Sequence, residues 1–469
     1  MKYISTRGLA AAAGFEDVLL AGLAPDGGLY MPQRWPVVTT DEIASFAGAS
    51  YADVAASIIG LFTGDTFTAA QIKDMAQKAY GRFSDPRVAP LTLVGADDYI
   101  LELYHGPTLA FKDFAMQILG QMFDNVLARH DRRLTIIAAT SGDTGAAAIE
   151  ALKNCNHVDI VVLHPEGRVT DVQRRMMTTV DRPNVHNIAV DGAFDDCQAI
   201  IKQLFADREF SERVCLGGVN SINWARLAAQ TVYYFTACAA LSANGEPVNF
   251  VVPTGNFGDV FAGFAAMKMG LGVGKLVVAT NANDILHRAL TLGDYTPAGV
   301  TPTASPSMDI QVASNFERLL FEVMDRDSVL LRKRMAEFAS EKSMTLSARE
   351  QAVIAQDFAS FAASGEQTLS EIKRHHEKTG TLIDPHTAVA RCAAANLRAQ
   401  GVLSGKTVTL STAHPAKFPE AVEQATGVRP PLPETYSALF DLEEHVVRAE
   451  NDLSAVRSVI LQRVEPARQ

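Results

Sequence analysis

A single lysine, Lys112, stands between Phe111 and Asp113 in the stretch YHGPTLAFKDFAMQ (104–117), just after a His-Gly-Pro turn and just before an apolar run. Among apolar neighbours a primary amine loses hydration. That penalises its charged form, lowers its pKa and leaves a free base able to condense with an aldehyde as a Schiff base. The same residues also suit a helix start at which Lys112 lays its stem along the surface, and one lysine does not decide between the two.

Four other loops bear on the question. ATSGDTGAAA (139–148) follows the apolar run LTII and offers the hydroxyls and N–H groups of Ser141, Gly142, Thr144 and Gly145 at the start of a helix, where a carboxylate or phosphate is favoured. An ordinary N-cap by Ser141 or Asp143 fits the same letters. VPTGNFGDVF (252–261) could wrap an oxyanion with Thr254, Gly255, Asn256, Phe257 and Gly258. It matches neither G-x-G-x-x-G nor a Walker loop, which disfavours NAD and ATP. Asp259 would repel a phosphate, so it is expected to cap the helix or turn away. GGVNSINWARLAAQ (217–230) brings Asn220, Ser221, Asn223 and Arg226 to the start of a long helix; Asn-Ser-x-Asn is also a capping sequence, while Arg226 could grip a phosphate with two N–H groups. LSTAHPAKF (410–418) ends an apolar run with Ser411, Thr412 and His414 in a turn. Two anion cradles, a guanidinium and a desolvated lysine describe a site for a phosphorylated cofactor and an anionic substrate.

Such loops need a sheet to hold them. From about residue 134, short β-rich runs (LTIIAAT, VDIVVLHP, VHNIAV, VNFVVP, KLVVAT) alternate with helical stretches, which signals βαβ units and parallel sheets covered on both faces. Ligands of such sheets collect beyond the carboxyl ends of the strands, where these loops lie. The expected division is a mainly helical N-terminal domain over 1–90, then a catalytic region over 91–430. That region splits into a smaller α/β part (about 115–215) and a larger one (216–430) with a helical insertion at about 295–399. A helical C-terminal segment (431–469) follows.

The chain has 469 residues, 48% of them hydrophobic, and a net charge of −11 without a sustained basic run; nucleic acid and anionic membranes are poor partners. Neither a spanning segment nor a secretory leader is legible, so the expectation is a cytoplasmic protein without membrane contact. Five cysteines without C-x-x-C spacing and eleven histidines without H-E-x-x-H argue against a disulfide framework and a metal site. For assembly, a monomer is the default.

Taken together, HGPTLAFKDF, TSGDTGAA, VNSINWAR and PTGNFGD, with STRG, GLAPDGGLYMP, DPHTAVA and TAHPAKF, resemble the threonine synthase family over nearly the whole chain, most weakly between about 295 and 380. The resemblance implies pyridoxal 5′-phosphate as cofactor and the tryptophan synthase β-like fold (fold type II), with two open, mostly parallel sheets. It further implies conversion of O-phospho-L-homoserine and water to L-threonine and phosphate. It resembles the longer bacterial and fungal branch. On the matching positions, Lys112 would carry the cofactor, Thr254, Gly255, Asn256, Phe257 and Gly258 its phosphate, and Thr412 its ring nitrogen. Ser141, Gly142, Thr144, Gly145, Asn220, Ser221 and Arg226 would hold the substrate. The chain departs from many members of that fold in having Asp143 where they carry asparagine. An aspartate cannot donate to the cofactor 3′-oxygen as an amide does, so Ser141, Thr144 and Gly145 carry the expectation there. A related lyase on another phosphorylated or hydroxylated amino acid, and a cofactor-binding protein without turnover, remain as alternatives.

Overall fold

The computed structural model describes residues 1–242 and 245–464; the last part of the expected C-terminal helical segment, 465–469, lies outside the described residues. Apolar runs with no polar alternation cannot offer one face to water, and here they form two sheets flanked by helices. In the larger sheet the order is Phe358–Ala362, Val273–Thr280, Val248–Pro253, Thr407–Ser411, Asp98–Glu102, Leu91–Leu93, all parallel except the last pair. In the smaller sheet it is Val447–Ala449, Val185–Val190, Val158–Pro165, Leu134–Ala139, Leu216–Gly217, parallel throughout. The expected pair of open, mostly parallel sheets is thus present.

Two long helices bind the units into one core. Lys112–His130 buries Phe114, Ile118, Leu119, Met122 and Phe123, and Trp224–Leu241 buries Trp224, Tyr233, Tyr234 and Phe235. The Lys112 helix closes on Asp143–Leu152 at Gly120, where a Cβ would come within 2.5 Å of the Ala151 carbonyl oxygen. In the first ninety residues a two-stranded ribbon, Tyr3–Ser5 with Tyr30–Pro32, accompanies the helices Phe15–Ala21, Thr40–Ser45, Tyr51–Thr63 and Ala69–Tyr80, whose apolar faces join the same core. Among the described residues no helix is long and apolar enough to cross a membrane.

Two parts differ from expectation. The stretch 295–399 is not a purely helical insertion. FASFA, next to the helix Ala348–Asp357, becomes the edge strand Phe358–Ala362, because its backbone finds a ladder partner in Val273–Thr280 that overrides the helical leaning of an alanine-rich run. The helix Pro385–Ala399 is integral as well: Val389, Ala390, Ala393 and Leu397 cover Val251, Val277 and Ala279 of the sheet. Nor is 431–464 purely helical. Val447–Ala449 adds an edge to the smaller sheet before the helix Leu453–Arg463, a strand of three residues in a charged stretch that periodicity does not reveal.

Candidate active site

Lys112 opens its helix from the turn that precedes it. The turn is tied by Asp113, whose carboxylate accepts from the Thr108 N–H at 2.7 Å and the Thr108 hydroxyl at 2.8 Å. Gly106 is required beside it, since a Cβ there would lie 2.5 Å from Asp113. The order Gly-Pro-Thr…Lys-Asp is therefore a self-capped turn that aims Lys112 inward. Its side chain is buried, and desolvation, opposed by Asp143 and reinforced by the nearby charges of Lys417 and Arg226, draws its amine below the usual lysine range.

The centre of the arrangement is Asp143. Its carboxylate lies 3.3 Å from the Lys112 Nζ and 2.6 Å from the Lys417 Nζ, and accepts from Gln173 Nε2 at 2.8 Å and the Ser307 hydroxyl at 3.4 Å. Burial alone would raise its pKa; the two lysines outweigh that and hold it well below the carboxylate range. Lys417, fully buried, also donates to the Thr108 carbonyl at 2.8 Å. One carboxylate thus joins the loops of the smaller sheet to those of the larger, and its closest charged partners are amines.

In the 139–148 loop the Thr140 hydroxyl accepts from the N–H groups of both Gly142 and Gly145 at 2.9 Å, so these two amides are engaged within the loop. Gly145 is also packed too closely for any side chain, a Cβ meeting Thr140, Met177 and Val162 within 3 Å. That corrects the expectation that Gly142 and Gly145 offer donors to substrate. What remains free is the half-buried hydroxyls of Ser141 and Thr144, neither of which makes a hydrogen bond.

Around 254–258 the backbone leaves N–H groups unused. Phe257 adopts a left-handed conformation (φ 64°) and the helix Gly258–Lys268 starts with no side-chain cap, which leaves its first N–H groups for a ligand. Gly255 cannot be replaced: a Cβ would lie 2.7 Å from the Ser307 carbonyl oxygen. Thr254 offers no donor, which corrects its expected place among the phosphate ligands: its hydroxyl donates to the Val252 carbonyl at 2.7 Å and its N–H to the Ala279 carbonyl at 2.8 Å, while at Phe257 only the backbone is on offer because the ring packs against Phe316 and Phe358. Asn256 is exposed. Asp259 turns away, as expected, to accept from the hydroxyls of Tyr233 and Tyr234, and burial pushes its carboxyl up to about 6.

Arg226 is buried, donates to the Val219 carbonyl at 3.0 Å, leaves its Nε without a partner and has no carboxylate beside it. Burial draws it down to about 10, and its charge reaches Lys112. Asn220 is exposed and Ser221 half-buried at the mouth of the same loop, while Asn223 is the helix cap, accepting from the Ala225 N–H. At the end of the last strand, Thr412 is buried with a hydroxyl that makes no hydrogen bond, and its carbonyl accepts from the Phe111 N–H at 2.9 Å, next to Lys112. The cap of the following turn is His414, through Nδ1 to the Ala416 N–H, not Thr412. Ser411 is committed to Thr387 at 2.9 Å, and Thr387 with His386 to Asp384.

Three features fit a phosphate-bearing pyridine aldehyde: a desolvated amine, an uncapped helix start and a free hydroxyl between them in the chain's fold. Sequence reasoning had not assigned Lys417, Gln173 or Ser307 to the site. Lys417 in TAHPAKF was visible as a letter only; no local pattern announces a partner 274 positions away (417 − 143 = 274).

Comparison with known proteins covers the chain end to end. Family models match for Threonine synthase N terminus (2–80), Pyridoxal-phosphate dependent enzyme (89–413) and Threonine synthase, C-terminal (387–460). The chain is 48% identical to a threonine synthase of Pseudomonas aeruginosa over 98% of each chain. Its fold is similar to the crystal structure of a PLP-bound threonine synthase from Brucella melitensis (TM-score 0.95, 47% identity, 99% of this chain and 100% of that one). It is also similar to that of the yeast enzyme (TM-score 0.93, 37% identity, 98% of each).

Proposed function

Because the chain belongs to the threonine synthase family and is a pyridoxal-phosphate-dependent enzyme of fold type II, we propose that it converts O-phospho-L-homoserine and water to L-threonine and phosphate. The observation that carries the substrate is Arg226. A guanidinium buried without a carboxylate is a receptor for an anion still to arrive, and it lies within electrostatic reach of Lys112.

In this reading Lys112 holds the cofactor, the N–H groups of Gly255, Asn256 and Gly258 hold its phosphate, and the Thr412 hydroxyl meets its ring nitrogen. When bound, the cofactor supplies an electron sink for the carbanions of the reaction. The remaining work is the chain's own. Lys112, kept unprotonated by burial, takes the protons from Cα and Cβ and returns one to Cγ, the carbon that becomes the methyl group, and the other to Cα once water has added at Cβ. Arg226, with Ser221 and Asn220 at the loop mouth, holds the phosphate as it leaves Cγ, and Ser141 and Thr144 hold the substrate carboxylate. Asp143 and Lys417 fix the amine of Lys112 in place and keep a counter-charge beside it. Water adds once, at Cβ. The five free cysteines are in keeping with a reducing, cytoplasmic setting.

Incubation with O-phosphohomoserine is expected to release phosphate and threonine in equal amounts. Phosphate with 2-oxobutyrate and no threonine would mean a lyase, and no product at all a cofactor-binding protein. Arg226→Met is expected to lower kcat/KM by roughly 10- to 150-fold, the equivalent of about 1.5–3 kcal/mol for a lost charge-assisted contact, with the cofactor absorbance unchanged. Loss of cofactor with substrate affinity intact would move Arg226 to the cofactor. Thr412→Val, which removes one neutral hydrogen bond worth about 1 kcal/mol, is expected to slow turnover roughly fivefold and shift the cofactor absorbance. An unaltered spectrum and rate would make Thr412 a packing residue.

A further inference from the structure

The chain is acidic overall, yet one cleft away from the active centre is lined with cations. It is an open cleft of about 340 Å³ between the helices Gly365–Thr379 and Pro385–Ala399 and the start of strand Asp98–Glu102, and Arg374, Lys378, Arg391, Arg398 and Asp98 line it. Part of this charge is internally compensated. Arg374 donates twice to Glu371 at 2.7 Å, and Arg398 contacts Asp98 at 2.7 Å. Lys378 reaches only the Val94 carbonyl, at 3.1 Å. Arg391 is the least compensated: it is 6% exposed, makes no hydrogen bond, and its Nε pairs only at 3.6 Å with the Glu371 carboxylate that Arg374 already engages.

The negative ends of the two helices account for Lys378 and Arg398, which lie in the last turns. They do not account for Arg391, in the middle of its helix, where a buried guanidinium with unused donors costs stability unless something occupies them. The same charges, after burial, push the neighbouring His375 down to about 4.

We propose that this cleft binds a compact dianion, inorganic phosphate or a small phosphate monoester, gripped by Arg391 from the wall and by Lys378 and Arg374 at the mouth. The fork of donors on Arg391 matches phosphate oxygens, and the volume is at the lower end of small-molecule sites.

The test is calorimetric titration of the holoenzyme carrying Arg226→Met, which weakens the catalytic phosphate site, with inorganic phosphate and separately with glycerol 3-phosphate. One site per chain is expected, weaker at high salt, with affinity reduced at least tenfold by Arg391→Gln and severalfold by the exposed-side variant Lys378→Gln. The second variant keeps the test valid where the first destabilises the fold. Tighter binding of the inorganic ion or of the monoester supports the proposal and identifies the source of the phosphate. No binding of either probe, or binding that neither Arg391→Gln nor Lys378→Gln weakens, overturns it.

Discussion

Lys112→Ala is expected to abolish turnover, lowering kcat by three or more powers of ten, and borohydride treatment of the unaltered holoenzyme to fix the cofactor permanently on Lys112. Proton transfer by a placed group is worth about 10²–10⁴ in rate, and in the proposed reading the same residue would also supply the covalent anchor. The expectation rests on the amine being buried, drawn below its usual range, and aimed inward by a turn that Asp113 closes. Peptide mapping of the reduced protein decides it. The sharpest rival is Lys417, a second buried amine on the other side of the same carboxylate. Cofactor found on Lys417, or a Lys112→Ala protein with near-normal turnover, would reverse the assignment of the two lysines.

Asp143→Ala is expected to destabilise the cofactor-free protein by about 3–5 kcal/mol, because it leaves two amines buried without a counter-charge. Urea unfolding at neutral pH measures it, and a loss under about 1 kcal/mol would mean that the amines find other partners. The pH dependence has a definite sign. The folded pKa of Asp143 is depressed, so its contribution is present in full above the ordinary aspartate value of about 3.9 and disappears as pH falls through the lower folded value. Asp143→Asn should therefore flatten the acid limb of the stability curve. Lys112 has the same sign in a more alkaline range: with its folded pKa depressed, the penalty for burying it is relieved as pH rises toward the unfolded lysine value.

The sheets were legible because parallel strands buried on both faces leave uninterrupted apolar runs, as in VNFVVP and VDIVVLHP. Lys112, Arg226 and the 254–258 loop were legible because each lies at a junction of strand and helix. What the letters did not carry was pairing at long range. FASFA reads as helix until a neighbouring strand claims it, and VRA is too short to show any period. Asp143 was read against its fold relatives and set aside as a misfit; its role depends on Lys417, which reaches it only through the closed topology. Gly142 and Gly145 were read as donors, yet the Thr140 hydroxyl one turn earlier takes both amides, a local competition that a list of residue types does not resolve.

The strand orders of the two sheets also set a timetable for the chain as it leaves the ribosome. Asp98–Glu102 emerges early but has its parallel neighbour in Thr407–Ser411, and Val185–Val190 waits for Val447–Ala449. Each sheet therefore presents an unpaired edge through most of translation, the condition that invites intermolecular pairing and chaperone capture. Lys112 is made long before Thr412 and Lys417, so the nascent chain carries this lysine without the burial that unmasks its amine. Cofactor capture is consequently a late event, and a ribosome stalled before residue 407 yields a polypeptide that can complete neither sheet.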